Sequence, residues 1–220
     1  MKNKQLDTIR ERFEREAHDF DAIYRQDQGP FHAWFNRTFR KPIFERYDIT
    51  FRVMGNLDGK TLLDVGCGPG LYCVNFVHRD GRYALGIDSS SQMIGLASRR
   101  AKETGVEDKC HFQKTDFFEA DLQEQYNFTI AMGVFDYLSD PVTFLHKMRS
   151  VTIDKIIVSL PGHSLIREPL RKLRYKIGAK GQVYFYNKAD IRRITTEAGI
   201  GHYEIIPTTT GSGFILIAEP

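Results

Sequence analysis

Three glycines, Gly66, Gly68 and Gly70, follow an apolar run and an acid in the stretch TLLDVGCGPGLY at 61–72. A buried strand that turns sharply into a helix has this form. Glycine accepts a positive φ, and without a Cβ it lets a ligand approach the main chain closely. Two further acids come at intervals that suit the same ligand. Asp88 closes the next apolar segment, where a carboxylate can accept both hydroxyls of a ribose. Asp116 follows the segment after that, where it can accept from an amino group such as that of adenine. In a doubly wound sheet ligands sit at the carboxyl ends of the strands. One loop and two acids at successive strand ends therefore describe a nucleoside site.

Asp64 narrows the choice of nucleoside. A dinucleotide site uses G-x-G-x-x-G with an acid after the next strand. Here the spacing is G-x-G-x-G, and Asp64 stands ahead of the first glycine. A pyrophosphate is repelled by an extra carboxylate, whereas a cationic amino-acid tail is attracted to it. The pattern favours a ligand with adenosine at one end and an ammonium group at the other.

The elements that must hold these residues can be read from periodicity. Leu6, Ile9, Phe13, Ala17 and Phe20 share one helical face, and an aromatic stretch from Phe31 through Trp34 to Tyr47 continues the helical character to about residue 55. From residue 60 strands and helices alternate. Strands are expected at 61–65, 83–87, around Cys110 and Phe112, at 128–132 and at 153–160. Helices are expected at 71–77, behind the Ser89-Ser90-Ser91 capping hydroxyls with Met93, Ile94 and Ala97 buried, and behind Asp140-Pro141. Asn187 and Asp190 form a capping pair for a helix at 188–198. Segments 202–206 and 214–218 read as an antiparallel hairpin. The predicted fold class is α/β: a Rossmann-like, doubly wound, seven-stranded sheet, mostly parallel, with a C-terminal antiparallel hairpin and an N-terminal helical lid. The expected organisation is a lid at 1–55 and a main domain at 56–220.

The motifs LLDVGCGPG, GIDSS with Met93 beyond it, and KTDFF at Asp116 together resemble those of class I S-adenosylmethionine (SAM)-dependent methyltransferases. The resemblance covers about residues 60–162 and the terminal hairpin in outline. It implies SAM as methyl donor and S-adenosylhomocysteine (SAH) as product. It also implies that the loop Asp64–Gly70, with Cys67 and Pro69 inside it, holds the methionine portion, with Tyr72 beside the tail. Asp88 and Ser89 take the ribose, Met93 lies against adenine, Asp116 binds the adenine amino group and Phe117 offers its main-chain N–H. Met132 and Gly133, at the end of the fourth strand, complete the cofactor set.

The acceptor is less legible. After the fourth strand the chain reads MGVFDYLSDP, without the Asn/Asp-Pro-Pro-Tyr/Phe tetrapeptide of amino-methyltransferases and without the Pro-Cys of cytosine C5 enzymes. A small-molecule acceptor methylated at oxygen, on a carboxylate or a phenol, is the reading. FDAIY at 20–24 and FDYLSDP at 135–141 look like magnesium-protoporphyrin and ubiquinone-type O-methyltransferases, although the porphyrin enzymes usually carry a His where this chain has Asp136. Tyr24, Tyr137 and His163 are the candidate catalytic groups, with His163 the candidate base. A phenol of pKa near 10 needs a base, and a carboxylate does not. Tyr137 packing on the cofactor and His163 as a plain loop residue are the simpler readings.

An insertion at 163–181, HSLIREPLRKLRYKIGAKG, sets an apolar stripe of Ile166, Leu170, Leu173 and Ile177 beside Arg167, Arg171, Lys172, Arg174, Lys176 and Lys180. It is either a solvated lid helix or a basic cap for an anionic acceptor or a membrane surface. Other features mainly exclude. The chain of 220 residues is 41% hydrophobic and 27% charged, ordinary for a globular protein. A net charge of +3 does not by itself argue for nucleic acid. No apolar run approaches a membrane span, the first residues lack a signal-peptide core, and the three cysteines lack metal-type spacing. A cytoplasmic location and no metal are expected. RNA or protein methylation, a non-catalytic cofactor-binding module and an NAD-dependent oxidoreductase are the alternatives.

Overall fold

The computed structural model describes residues 43–163, 183–209, 211 and 213–220. The first 42 residues, with Tyr24 and nearly all of the expected lid, lie outside the described residues, as does the cap beyond His163. The element order is helix α1 (43–54), β1 (Thr61–Val65), α2 (Leu71–His78), β2 (Tyr83–Asp88), α3 (Ser91–Glu103), β3 (Cys110–Lys114), β4 (Tyr126–Ala131), α4 (Pro141–Ser150), β5 (Thr152–Pro161), α5 (Lys188–Glu197), β6 (His202–Pro207) and β7 (Gly213–Glu219).

These strands form one seven-stranded sheet in the order β3-β2-β1-β4-β5-β7-β6. The first five run parallel, with Leu62 opposite Ala84 on β2 and Phe128 on β4. β7 enters antiparallel between β5 and β6. The order reverses at β1, so the crevice of a doubly wound sheet lies between β1 and β4. The expected seven strands and terminal hairpin are all present.

Every residue of β1 is buried, because both faces of the sheet are covered. Successive side chains point to opposite faces. Leu62 joins a core with Ile49, Phe51 and Met54 of α1 and Val74 and Phe76 of α2. Leu63 and Val65 join the other core, with Phe144 and Met148 of α4 and Ile191 of α5. Leu62 and Leu63 are wholly buried, each worth about 2 kcal/mol of burial. By the same alternation Asp64 points toward α2.

Local signals set the helix starts. Ser90, in an extended conformation, accepts from the Met93 N–H and caps α3. Asp140 accepts from the Thr143 N–H, with Pro141 following. Asn187 and Asp190 form a reciprocal capping box on α5. On α3 the buried residues are Met93, Ala97 and Ala101, while Ile94 is half-buried at the margin of the face.

Candidate active site

The glycine loop is a left-handed turn, with φ of 71° at Gly66, 51° at Gly68 and 74° at Gly70. The two outer positions are tight. A Cβ on Gly66 meets Val134 at 2.5 Å, and one on Gly70 meets Ala97 at 2.8 Å and Phe112 at 2.9 Å. A Cβ on Gly68 meets nothing within 4 Å. The loop therefore packs at its ends and opens at its centre. It leads into α2, whose first turn has no side-chain cap. Uncapped N–H groups at a helix start suit an anionic ligand group.

Hydrogen bonds tie the three neighbouring strand ends together. Gly66 and Cys67 donate N–H to the Ile87 carbonyl at 2.8 and 3.0 Å. Asp88 accepts from the Gly68 N–H through Oδ2 and from the Ser90 N–H through Oδ1, both at 2.9 Å. The Asp88 carbonyl accepts from the Thr115 N–H at 3.0 Å. The loop, Asp88 and the turn bearing Asp116 thus share one surface. Arg100 of α3 holds the loop from behind by donating to the Pro69 carbonyl at 2.5 Å.

β3 ends at Lys114, so Asp116 sits in the following turn rather than on the strand. Its Oδ1 accepts from the Phe118 N–H at 2.8 Å. Among the described residues the Phe117 N–H donates to no acceptor, although the Phe117 side chain is buried. An acceptor carboxylate beside an unused N–H matches the Watson–Crick edge of adenine, which offers an amino donor next to a ring nitrogen acceptor. Met93, 1% exposed, is on the first turn of α3, and Ser89 is half-buried just ahead of that helix.

Asp64 is 1% exposed, below the loop rather than on it. The Cys73 thiol donates to its Oδ2 at 3.8 Å. Burial first, and the negative Asp88 second, push the Asp64 carboxyl up to about 8, opposed by the Cys73 bond. Cys67 in the loop and Cys73 on α2 are buried, with thiols pushed up by desolvation and then by Asp64, so neither is a reactive thiolate. Tyr72 stacks on Phe51 at 6.0 Å and leans on Tyr47 at 5.6 Å, joining α1 to α2.

Across the crevice, α1 brings a residue that the sequence did not single out. Arg46 donates from Nη1 to the Ser159 hydroxyl at 3.4 Å. That hydroxyl also accepts the Gly133 N–H at 2.8 Å, and Thr50 donates to the Met132 sulfur at 3.9 Å. Arg46 and Thr50 therefore reach the ends of β4 and β5, where Met132 and Gly133 begin the next turn. Nothing marked Arg46 among 31 basic residues, because only tertiary packing carries its helix over the crevice.

Tyr137 is half-buried in the β4 turn and donates its N–H to the Val134 carbonyl. Asp136, beside it, is 8% exposed, and its carbonyl accepts from the Tyr184 N–H at 2.9 Å. His163 is exposed just past β5, its ring 5.9 Å from Phe185. Two of the three candidate catalytic residues thus stand at the carboxyl ends of β4 and β5.

Comparison with known proteins agrees with this geometry. A family profile described as a methyltransferase domain matches residues 56–184. Ubiquinone biosynthesis O-methyltransferase of Aeromonas salmonicida is 27% identical over 128 residues, 57% of this chain and 52% of that one. The same-named protein of Nitrobacter winogradskyi is 31% identical over 102 residues, 46% of this chain and 38% of that one. The matches span about half the length of these relatives or less. Magnesium protoporphyrin IX methyltransferase from Synechocystis PCC 6803, crystallised with SAH, superposes with a TM-score of 0.76 at 23% identity, over 98% of this chain and 99% of that one. With the profile covering more than half of its length, the chain belongs to the methyltransferase-domain family.

Proposed function

We propose that the protein transfers the methyl group of SAM to an oxygen atom of a small-molecule acceptor. The observation that carries this reading is the shared surface of the glycine loop, Asp88 and the Asp116–Phe117 turn. SAM supplies a methyl group already activated by a sulfonium, so positioning and exclusion of water are the protein's main tasks. Asp88, at the end of β2, accepts the ribose hydroxyls. Asp116 and the Phe117 N–H read adenine. The open centre of the loop at Gly68 admits the methionine portion. Arg46 and the uncapped start of α2 meet its carboxylate, and Asp64 favours its ammonium from beneath.

The acceptor then enters from the ends of β4 and β5. His163 takes a proton where the acceptor is a phenol, and Tyr137 and Tyr24 line its approach. The names of the relatives support a small acceptor, a ubiquinone-type phenol or a porphyrin. An anionic acceptor or membrane contact through the basic cap at 163–181 is part of the proposal, as is the division into a lid at 1–55 and a catalytic domain at 56–220. So is a cytoplasmic location, which three buried free thiols support. No helix among the described residues is long and apolar enough to cross a membrane.

Incubation with labelled SAM and a metabolite extract, followed by mass analysis, tests the reading. A labelled small product supports it. Label found only in RNA or protein overturns the acceptor class, and failure to bind SAH overturns the donor.

A further inference from the structure

The turn that carries Asp116 and Phe117 has no helix of its own. Besides its own bonds from the Glu119 and Ala120 N–H groups to the Asp116 carbonyl, its backbone is held by one side chain from another element. Lys147, in the last turn of α4, donates from Nζ to the carbonyls of Phe117 at 2.6 Å, Phe118 at 3.1 Å and Ala120 at 3.2 Å. An ammonium has three donors, and these three carbonyls use them all. The same ammonium lies 5.1 Å from the centre of the Phe117 ring, within cation–π range. One turn earlier on α4, Phe144 packs on Phe117 with ring centres 4.8 Å apart and on Phe118 at 5.8 Å. The turn is thus clamped to α4 through both its carbonyls and its rings.

This clamp bears on ligand choice. The Phe117 carbonyl that Lys147 holds shares its peptide plane with the Phe118 N–H, while the peptide carrying the Phe117 N–H is held at the Asp116 carbonyl by the Glu119 and Ala120 N–H groups at 3.1 and 2.9 Å and leaves the Phe117 N–H without an acceptor among the described residues. The Phe118 N–H fixes the Asp116 carboxylate beside it at 2.8 Å. The order acceptor, then donor is what separates a 6-amino purine from a 6-oxo purine. A 6-oxo base brings its carbonyl to the Asp116 carboxylate and its N1–H to the Phe117 N–H, two like-to-like contacts.

We propose that Lys147 is a positioning residue that sets the nucleobase selectivity of the donor site by fixing the Phe117–Phe118 peptide, whose N–H holds the Asp116 carboxylate in place. The proposal rests on the donor reading above. In the full chain, calorimetry with SAH and with S-inosylhomocysteine, its 6-oxo analogue, measures the selectivity as a ratio of dissociation constants. The wild-type protein is expected to prefer SAH by roughly a hundredfold, and Lys147→Met to lose about tenfold of that preference through weaker SAH binding. Lys147→Arg recovers part of it, since a planar fork cannot reach three converging carbonyls in the same way. Lys147→Gln, which keeps two donors, serves as the milder variant and should fall between wild type and Met.

A merely structural lysine weakens both ligands equally and leaves the ratio untouched. An unchanged ratio in Lys147→Met or Lys147→Gln overturns the proposal while leaving the donor reading intact. Failure of the wild-type protein to bind SAH overturns both.

Discussion

Replacing Asp64 by Asn should make the ligand-free protein more stable at alkaline pH while weakening its hold on SAH. Asp64 is buried, feels the negative Asp88, and has the weak Cys73 thiol as its side-chain donor among the described residues. Its carboxyl is raised from 3.8 to about 8. The folded state therefore keeps a proton that the unfolded chain gives up, so stability from this group is present below about pH 4 and lost as pH rises through about 8. Each pH unit inside that window is worth about 1.4 kcal/mol, so from pH 5 to pH 8 the ceiling is roughly 4 kcal/mol. Water penetration and relaxation lower it, and a loss of about 2 kcal/mol is the expected result. Asn carries no charge and escapes this loss. Urea unfolding of both proteins at several pH values gives the difference, in which other titrations cancel. Binding of SAH, with its ammonium, should expel the proton at pH 7. The binding enthalpy of the wild-type protein should then vary with the buffer's ionisation enthalpy, and that of Asp64→Asn should not. Parallel stability profiles for the two proteins, or wild-type binding without proton release, refute the reasoning.

Two of the three loop glycines, Gly68 and Gly70, should separate stability from binding. Gly70→Ala meets Ala97 and Phe112 and should cost about 3 kcal/mol in thermal or urea unfolding, whereas Gly68→Ala meets open space and should cost about 1 kcal/mol of backbone strain yet weaken SAH more than tenfold. Asp88→Ala removes an acceptor of two backbone N–H groups and of the proposed ribose, so SAH affinity measured by calorimetry should fall roughly a hundredfold, with about 1–2 kcal/mol of stability lost as well. Arg46→Met should weaken SAH about tenfold but leave methylthioadenosine, which has no carboxylate, unaffected in competition binding. Neutralising Arg171, Lys172 and Arg174 together should weaken acceptor turnover or liposome binding and spare SAH; unchanged values in both assays would remove the cap from the proposal.

The donor side of the site was legible because local rules govern it. A glycine turn needs glycines, a helix start needs Ser90, Asp140 or Asn187, and an acid at a strand end sits next to its neighbours once the strands are parallel. Asp116 shows the limit of that logic: its strand stops at Lys114, and the residue works from a turn whose shape the pattern did not disclose. Arg46, Ser159 and Lys147 were not legible. Each acts on atoms far away in sequence, through contacts that exist only after the helices have packed on the sheet. Asp64 reads in the sequence as a partner for a cationic tail, and the structure places it 1% exposed, one layer below the loop. The acceptor side stayed open because Tyr137 and His163 stand in turns after β4 and β5, where no periodicity fixes a side chain's direction.

The place of β7 has a consequence for how the protein is made. β7 lies between β5 and β6, so during synthesis β5 and β6 both emerge before the strand that separates them. Until β7 arrives, the buried residues Ile156, Ile157 and Val158 lie on an open, apolar edge of the sheet. Such an edge pairs readily with other chains. The wait is brief at roughly 5–20 residues per second, but it falls after most of the sheet has formed. The interval between the emergence of β5 and of β7 is therefore when a nascent chain most needs a chaperone, and slowing translation within that interval should raise aggregation more than slowing it elsewhere.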